Sequence, residues 1–207
     1  MRYFISFFAF FLCACSGGTA NDYLRMKNIL PPTPENFIHC YDYGCKSKAL
    51  VSLPKPTLQR LKKNFKPTPK TAESERQKIA AAIQIFEQDI GDLVGTKNDK
   101  FGTFRLYQDD AEKTKRFQQD CVDESTNTTI YLSLLEQLGF IKFHDVGFPE
   151  SRQPFFGGSV WWHQTATMTE KETGERYAVD SWFQDNGHPA FIVPLKEWKD
   201  GWRPEQP

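Results

Sequence analysis

The chain lacks a surplus of either charge: 26 Lys and Arg stand against 26 Asp and Glu in 207 residues. Nucleic-acid binding rests on phosphate neutralisation by a cationic surface, so no such footprint is present, and a polybasic tail is excluded with it. An apolar run long enough to cross a bilayer is also missing. Phe4–Leu12 is almost uninterruptedly apolar but far short of the roughly 20 residues a spanning helix needs. There is no internal repeat, and cysteine is sparse, at positions 13, 15, 40, 45 and 121. Aromatic area, by contrast, is plentiful. Eighteen Phe and five Trp, within 39% hydrophobic residues, supply one substantial core for an ordinary globular domain.

Met1–Arg2 followed by the apolar run reads as a secretory signal. The run ends in Leu12–Cys13–Ala14–Cys15 and continues as Ser16–Gly17–Gly18, which resembles the lipobox of bacterial lipoproteins. That resemblance implies cleavage before Cys15 and lipidation of its thiol, including a palmitate-type chain. Residues 1–14 then form the signal peptide and 15–38 a lipidated tether, broken by Pro31, Pro32 and Pro34. It places the chain in a bacterial cell envelope, facing the periplasm. Ser16 in place of Asp after the Cys favours the outer membrane. An ordinary signal peptide cut near Ala14 or Ala20 is the alternative.

An exported compartment is oxidising, so Cys40 and Cys45 are expected to form a local disulfide, contributing about 2 kcal/mol by the chain-entropy argument. A zinc site using His39 is the rival, with a spacing that matches no common finger. Cys121 is then a solitary thiol, which in such a compartment is either buried or useful.

The remaining 39–207 reads as a single domain with its core at about 71–203. Ala49–Val51 is a short strand candidate and Thr57–Phe65 a helical stretch. Thr71 caps a helix whose Ile79, Ile83, Phe86, Ile90 and Leu93 recur every three or four residues up to Gly95. Thr96–Gln119 is polar, with a possible strand at Thr103–Tyr107. From Cys121 a second helix carries Tyr131, Leu134, Leu135 and Leu138 on one stripe and stops at Gly139. Phe140–Val146 and Phe191–Leu195 read as strands, and Val160–Thr169 with Arg176–Phe183 as a hairpin around Thr173–Gly174. Helices first and strands afterwards give an α+β fold.

Cys121 opens its helix, where backbone N–H groups and the helix dipole favour a thiolate, although Asp123 and Glu124 in the same turn oppose it. A thiol near its ordinary pKa is mostly protonated at neutral pH and needs a base, normally His. Of the four candidates, His39 lies by the disulfide, His188 in a loop, and His144 and His163 both on strand candidates. His163 is favoured by the hairpin. With a four-residue loop Lys171–Gly174, Glu170 opposes Glu175 and His163 opposes Trp182, which makes Asp180 the diagonal neighbour on the face of His163. A carboxylate there fixes the imidazole tautomer while the ring takes the thiol proton. Cys121 is therefore the candidate nucleophile, His163 the base and Asp180 its orienter. The backbone N–H of Cys121 and the side chains of Gln118 and Gln119 are candidates for oxyanion donors.

The order Cys, His, Asp, with Asp120–Cys121–Val122–Asp123, His163–Gln164–Thr165–Ala166 and Tyr177–Ala178–Val179–Asp180, resembles the transglutaminase-like superfamily. The likeness is closer to its bacterial transglutaminase-like cysteine proteinases and covers Gln118 to Trp182. The family commonly has Gly where Asp120 stands and often an aromatic where Gln164 stands. The resemblance implies a papain-like core, with the nucleophile at a helix N-terminus packed on an antiparallel sheet, and thiol acyl transfer of cysteine-peptidase or amidase type. Its substrate would be a peptide, isopeptide or peptidoglycan amide, and no metal or organic cofactor is implied. A non-catalytic envelope lipoprotein that binds a partner or the cell wall is the alternative. Asn127–Thr128–Thr129 matches a glycosylation sequon, discounted because the segment is helical and the export signal bacterial.

Overall fold

A computed structural model describes residues 18–103, 117–153 and 162–205. The signal segment with Cys13 and Cys15, the strand expected at Thr103–Tyr107 beyond its first residue, and Trp161 lie outside the described residues. Helices and antiparallel strands alternate in blocks, giving an α+β architecture. The described elements are α1 (Ala20–Met26), β1 (Phe37–Tyr41), β2 (Ser47–Val51), α2 (Lys55–Asn64), α3 (Ala72–Val94), α4 (Cys121–Gln137), β3 (His144–Val146), β4 (Glu150–Arg152), β5 (His163–Glu170), β6 (Arg176–Asp180), β7 (Phe191–Pro194) and α5 (Leu195–Lys199). None of these helices is long and apolar enough to cross a membrane.

The helix signals act as their chemistry dictates. Thr71 and Ser74 cap the start of α3 reciprocally, and Gly95 ends it in the left-handed region at φ 108°. Its apolar stripe buries Ile79, Ile83, Phe86 and Ile90, and Phe86 stacks on Tyr131 of α4 at 4.5 Å between centroids. The main sheet runs β3-β5-β6-β7, with β4 pairing β5 as well, while β1 and β2 form a separate hairpin.

Helix α4 is buried on nearly every side, not along a single stripe. Its hydroxyl residues satisfy themselves within the helix: Thr126, Thr129 and Ser133 donate to the carbonyls of Val122, Ser125 and Thr129. Asn127 spends its side chain on Cys40, accepting from its N–H at 2.7 Å and donating to its carbonyl at 2.9 Å, which docks β1 onto α4. That engagement and its burial leave no room for a glycan.

Residues 18–38 depart from the expected tether. Thr19 and Asp22 form a capping box for α1, and Tyr23, Leu24 and Ile29 join the core. The Tyr23 hydroxyl reaches Thr126 on α4 and accepts from the Gln164 amide on β5. The prolines at 31, 32 and 34 follow this helix instead of spacing the domain from an anchor. Strands β1 and β4 have no counterpart in the periodicity reading, and β3 is shorter than expected.

Candidate active site

Cys121 stands at the first position of α4. The capping residue Asp120 accepts from the N–H groups of Val122 and Asp123 through Oδ1, and Asp123 returns a bond to the Asp120 N–H. This end of the helix is clamped by the β1–β2 loop. Cys40 and Cys45 are joined in a disulfide, which takes both thiols away from any zinc site at His39. His39 instead contacts Tyr131 and Thr96, and full burial pushes its imidazole pKa down to about 3. Asp42, Tyr43, Gly44 and Cys45 all have φ between 61° and 72°. Left-handed backbone costs L-residues about 1–2 kcal/mol each. The conformation aims the N–H groups of Tyr43 and Cys45 at Asp123 and that of Gly44 at Asp120.

The hairpin has the register that the four-residue loop requires. Ala166 faces Val179 and Thr169 faces Arg176, and the Glu170 N–H donates to the Glu175 carbonyl. His163 and Asp180 therefore share a face, with Nε2 of the imidazole 2.7 Å from Oδ2 of the carboxylate. Asp180 also accepts from the indole N–H of Trp198 at 2.7 Å and from the backbone N–H of Trp182 at 3.3 Å. The imidazole sits among the rings of Trp182, Phe183 and Trp198, at 4.6, 5.1 and 5.5 Å. Its Nδ1 is buried with no hydrogen-bond partner among the described residues.

The Cys121 sulfur is near enough to the backbone of Gln164, the residue after His163, and to the carboxylate of Asp180 for both to act on its ionisation. Asp180 is the link between thiol and imidazole: it bonds His163, its charge acts on Cys121, and all three side chains are buried. Cys121 is only 1% exposed. Burial raises its thiol pKa, and Asp120, Asp180 and Asp123 raise it further, so the helix N-terminus does not prevail and the resting sulfur is a protonated thiol.

His144 lies elsewhere: it bonds Glu75 of α3 at 2.9 Å and faces Glu170 at the far end of β5. Each of the two glutamines already spends one amide N–H inside the protein. The Gln118 amide donates to the Asn98 carbonyl and that of Gln119 to the Cys40 carbonyl. As the first helical N–H, that of Cys121 has no partner one turn back, and it meets no acceptor among the described residues.

Three features escaped the sequence reading. Trp198, on α5, holds Asp180 through its indole N–H. Arg152, on a strand that periodicity did not reveal, lies opposite His163 in the β4–β5 ladder. Behind Asp180 sits a cluster of buried carboxylates, Glu87, Asp99 and Glu124, of which Glu124 accepts from the Ser181 hydroxyl. Burial pushes all three upward, Glu124 to about 7. Among the described residues, no three His, Cys, Asp or Glu side chains converge as metal ligands would. A cleft of about 990 Å³ opens beside the imidazole cage, sharing Trp182 and Phe183 with it and adding Phe101, His188, Phe191 and Arg203.

The chain was compared with family models, curated proteins and solved structures, and none matched.

Proposed function

We propose that the protein is a thiol acyl-transfer enzyme, an amide hydrolase or cysteine peptidase of transglutaminase-like type with a papain-like core. The observation that carries this reading is the imidazole of His163, tied through Nε2 to Asp180, whose charge also acts on the free thiol of Cys121, and left with an Nδ1 that has no partner among the described residues. The bond to a carboxylate favours the tautomer with its proton on Nε2, so Nδ1 is the basic nitrogen.

The chemistry follows from these roles. Cys121 attacks the carbonyl carbon of an amide as its S–H proton passes to Nδ1 of His163. Asp180 stabilises the imidazolium, and the oxyanion meets the Cys121 N–H. Collapse expels the amine, which takes the proton back from His163, and leaves a thioester. Water, deprotonated by the same nitrogen, attacks the thioester and frees the acid and the thiol. Because the resting thiol is protonated, the base is required in the first step. The aromatic cleft next to the imidazole is the approach for a peptide, isopeptide or peptidoglycan amide. Export is supported by the Cys40–Cys45 disulfide, which belongs to an oxidising compartment. With the lipobox-like Leu12–Cys15, the reading extends to an envelope protein anchored by lipid at Cys15.

The test is an acyl-transfer burst with p-nitrophenyl acetate. One equivalent of nitrophenolate is expected in the first turnover, with one acetyl group found on Cys121 by peptide mass spectrometry. Cys121→Ser and His163→Ala should each abolish the burst. Wild-type protein that folds but never acquires the acetyl group would overturn the enzyme reading in favour of a non-catalytic binding lipoprotein.

A further inference from the structure

Arg152 is a buried cation, 2% exposed, with half of its guanidinium unused. Nη1 donates to the carbonyls of Trp198 and Trp202 at 2.7 and 2.8 Å. Nε and Nη2, the two donors along the side edge of the same plane, have no partner among the described residues. Leaving charged donors dry is costly, and such an edge matches the two oxygens of a carboxylate in a bidentate pair. The obvious internal partner is already engaged: Asp180 spends Oδ2 on His163 and Trp198 and Oδ1 on the Trp182 N–H.

The location of this edge is what gives it meaning. Arg152 and His163 are paired residues of antiparallel strands, so their side chains leave the sheet on one face about 5 Å apart at Cβ. Both pack on the same rings. The guanidinium carbon lies 4.6 Å from the Trp198 centroid and 5.7 Å from that of Phe183. Arg152 also senses the charges of Asp180 and Cys121. Asp180 is the carboxylate whose charge Arg152 senses among the described residues, and its oxygens are already engaged; a substrate seated for attack by Cys121 brings its substituents to this place.

We infer that the Nε/Nη2 edge of Arg152 is a carboxylate subsite, and that the substrate is an amide bearing a free carboxylate next to the scissile bond. This rests on Cys121 being the nucleophile. Without such a subsite, the carboxylates of Asp120, Asp180 and Asp123 that act on the sulfur make it a poor target for an anionic reagent. The subsite reverses that preference.

The experiment compares alkylation of Cys121 by iodoacetate and by iodoacetamide, each rate divided by that of N-acetylcysteine under the same conditions. Wild-type protein is expected to favour iodoacetate by about tenfold, the size of one charge-assisted contact. Excess sodium acetate, but not chloride, should slow that reaction. Arg152→Lys, which keeps a cation for the two carbonyls but not the bidentate edge, should lose most of the preference, and Arg152→Met should reverse it. The wild-type ratio needs no variant, so misfolding of Arg152→Met leaves the test intact. Reaction of both reagents without preference for iodoacetate, or a preference kept in Arg152→Lys, overturns the subsite and leaves the nucleophile standing. Failure of both reagents to outpace N-acetylcysteine overturns the nucleophile, and the subsite with it.

Discussion

Glu124 is where burial of charge has the clearest consequence for stability. Its carboxyl lies next to Ser181 in the interior, with Glu87, Asp99, Asp180 and Asp120 close enough to act on it or be acted on by it. Desolvation first, then Asp180 and Asp120, raise its pKa from the ordinary 4.5 to about 7. In the unfolded chain the group ionises near 4.5. Its contribution to stability is therefore complete below pH 4.5 and is lost as pH rises to 7. At 1.36 kcal/mol for each pKa unit, the loss is about 3 kcal/mol, most of it between pH 5 and 8. Glu124→Gln keeps the shape and an acceptor for Ser181 without ionising. Urea unfolding of both proteins at pH 5, 6, 7 and 8 should show the variant gaining on the wild type by about 3 kcal/mol toward pH 8. His39 works in the opposite sense, its stabilisation being present above pH 6.5 and falling as pH drops toward 3, but it is common to both proteins and cancels. A difference between wild type and Glu124→Gln that stays flat with pH would refute the placement of this carboxyl in a dry cluster.

Two further outcomes concern the supports of the site. Trp198→Phe removes the indole donor from Asp180 while keeping the ring, and should cost about 1–3 kcal/mol in urea unfolding while lowering the Cys121 labelling rate at unchanged fold. Replacing Cys40 and Cys45 by Ser should cost about 2 kcal/mol by chain entropy. Because the loop donates to Asp120 and Asp123, faster hydrogen exchange in the first turn of α4 is expected too, and unchanged exchange there would contradict the clamp.

Local chemistry made part of this structure legible in advance. Thr71 and Gly95 bracket α3 because a cap and a left-handed glycine act through adjacent residues. The juxtaposition of His163 and Asp180 follows from counting a four-residue loop, since strand faces repeat every two residues. What stayed hidden is nonlocal. The Trp198 bond to Asp180 and the pairing of Arg152 with His163 join segments whose spacing carries no period. Helix α1 is too short for a pattern, and its burial depends on Tyr23 reaching Thr126 and Gln164. Helix α4 hides its nature differently. A central helix packed all round buries Ser125 to Thr129 as fully as Leu134, so the single apolar stripe understated it. The thiol, too, reads more acidic from its place at a helix start than its burial among carboxylates allows.

The rate of Cys121 alkylation by iodoacetamide near neutral pH, in wild type and in His163→Ala, addresses the activation of the thiol most directly. With the imidazole as its base, the wild-type sulfur should react faster than N-acetylcysteine, and the variant should fall to the slow rate of a buried thiol whose proton has no acceptor. Equal rates in the two proteins would contradict the assignment of His163 as the group that takes that proton.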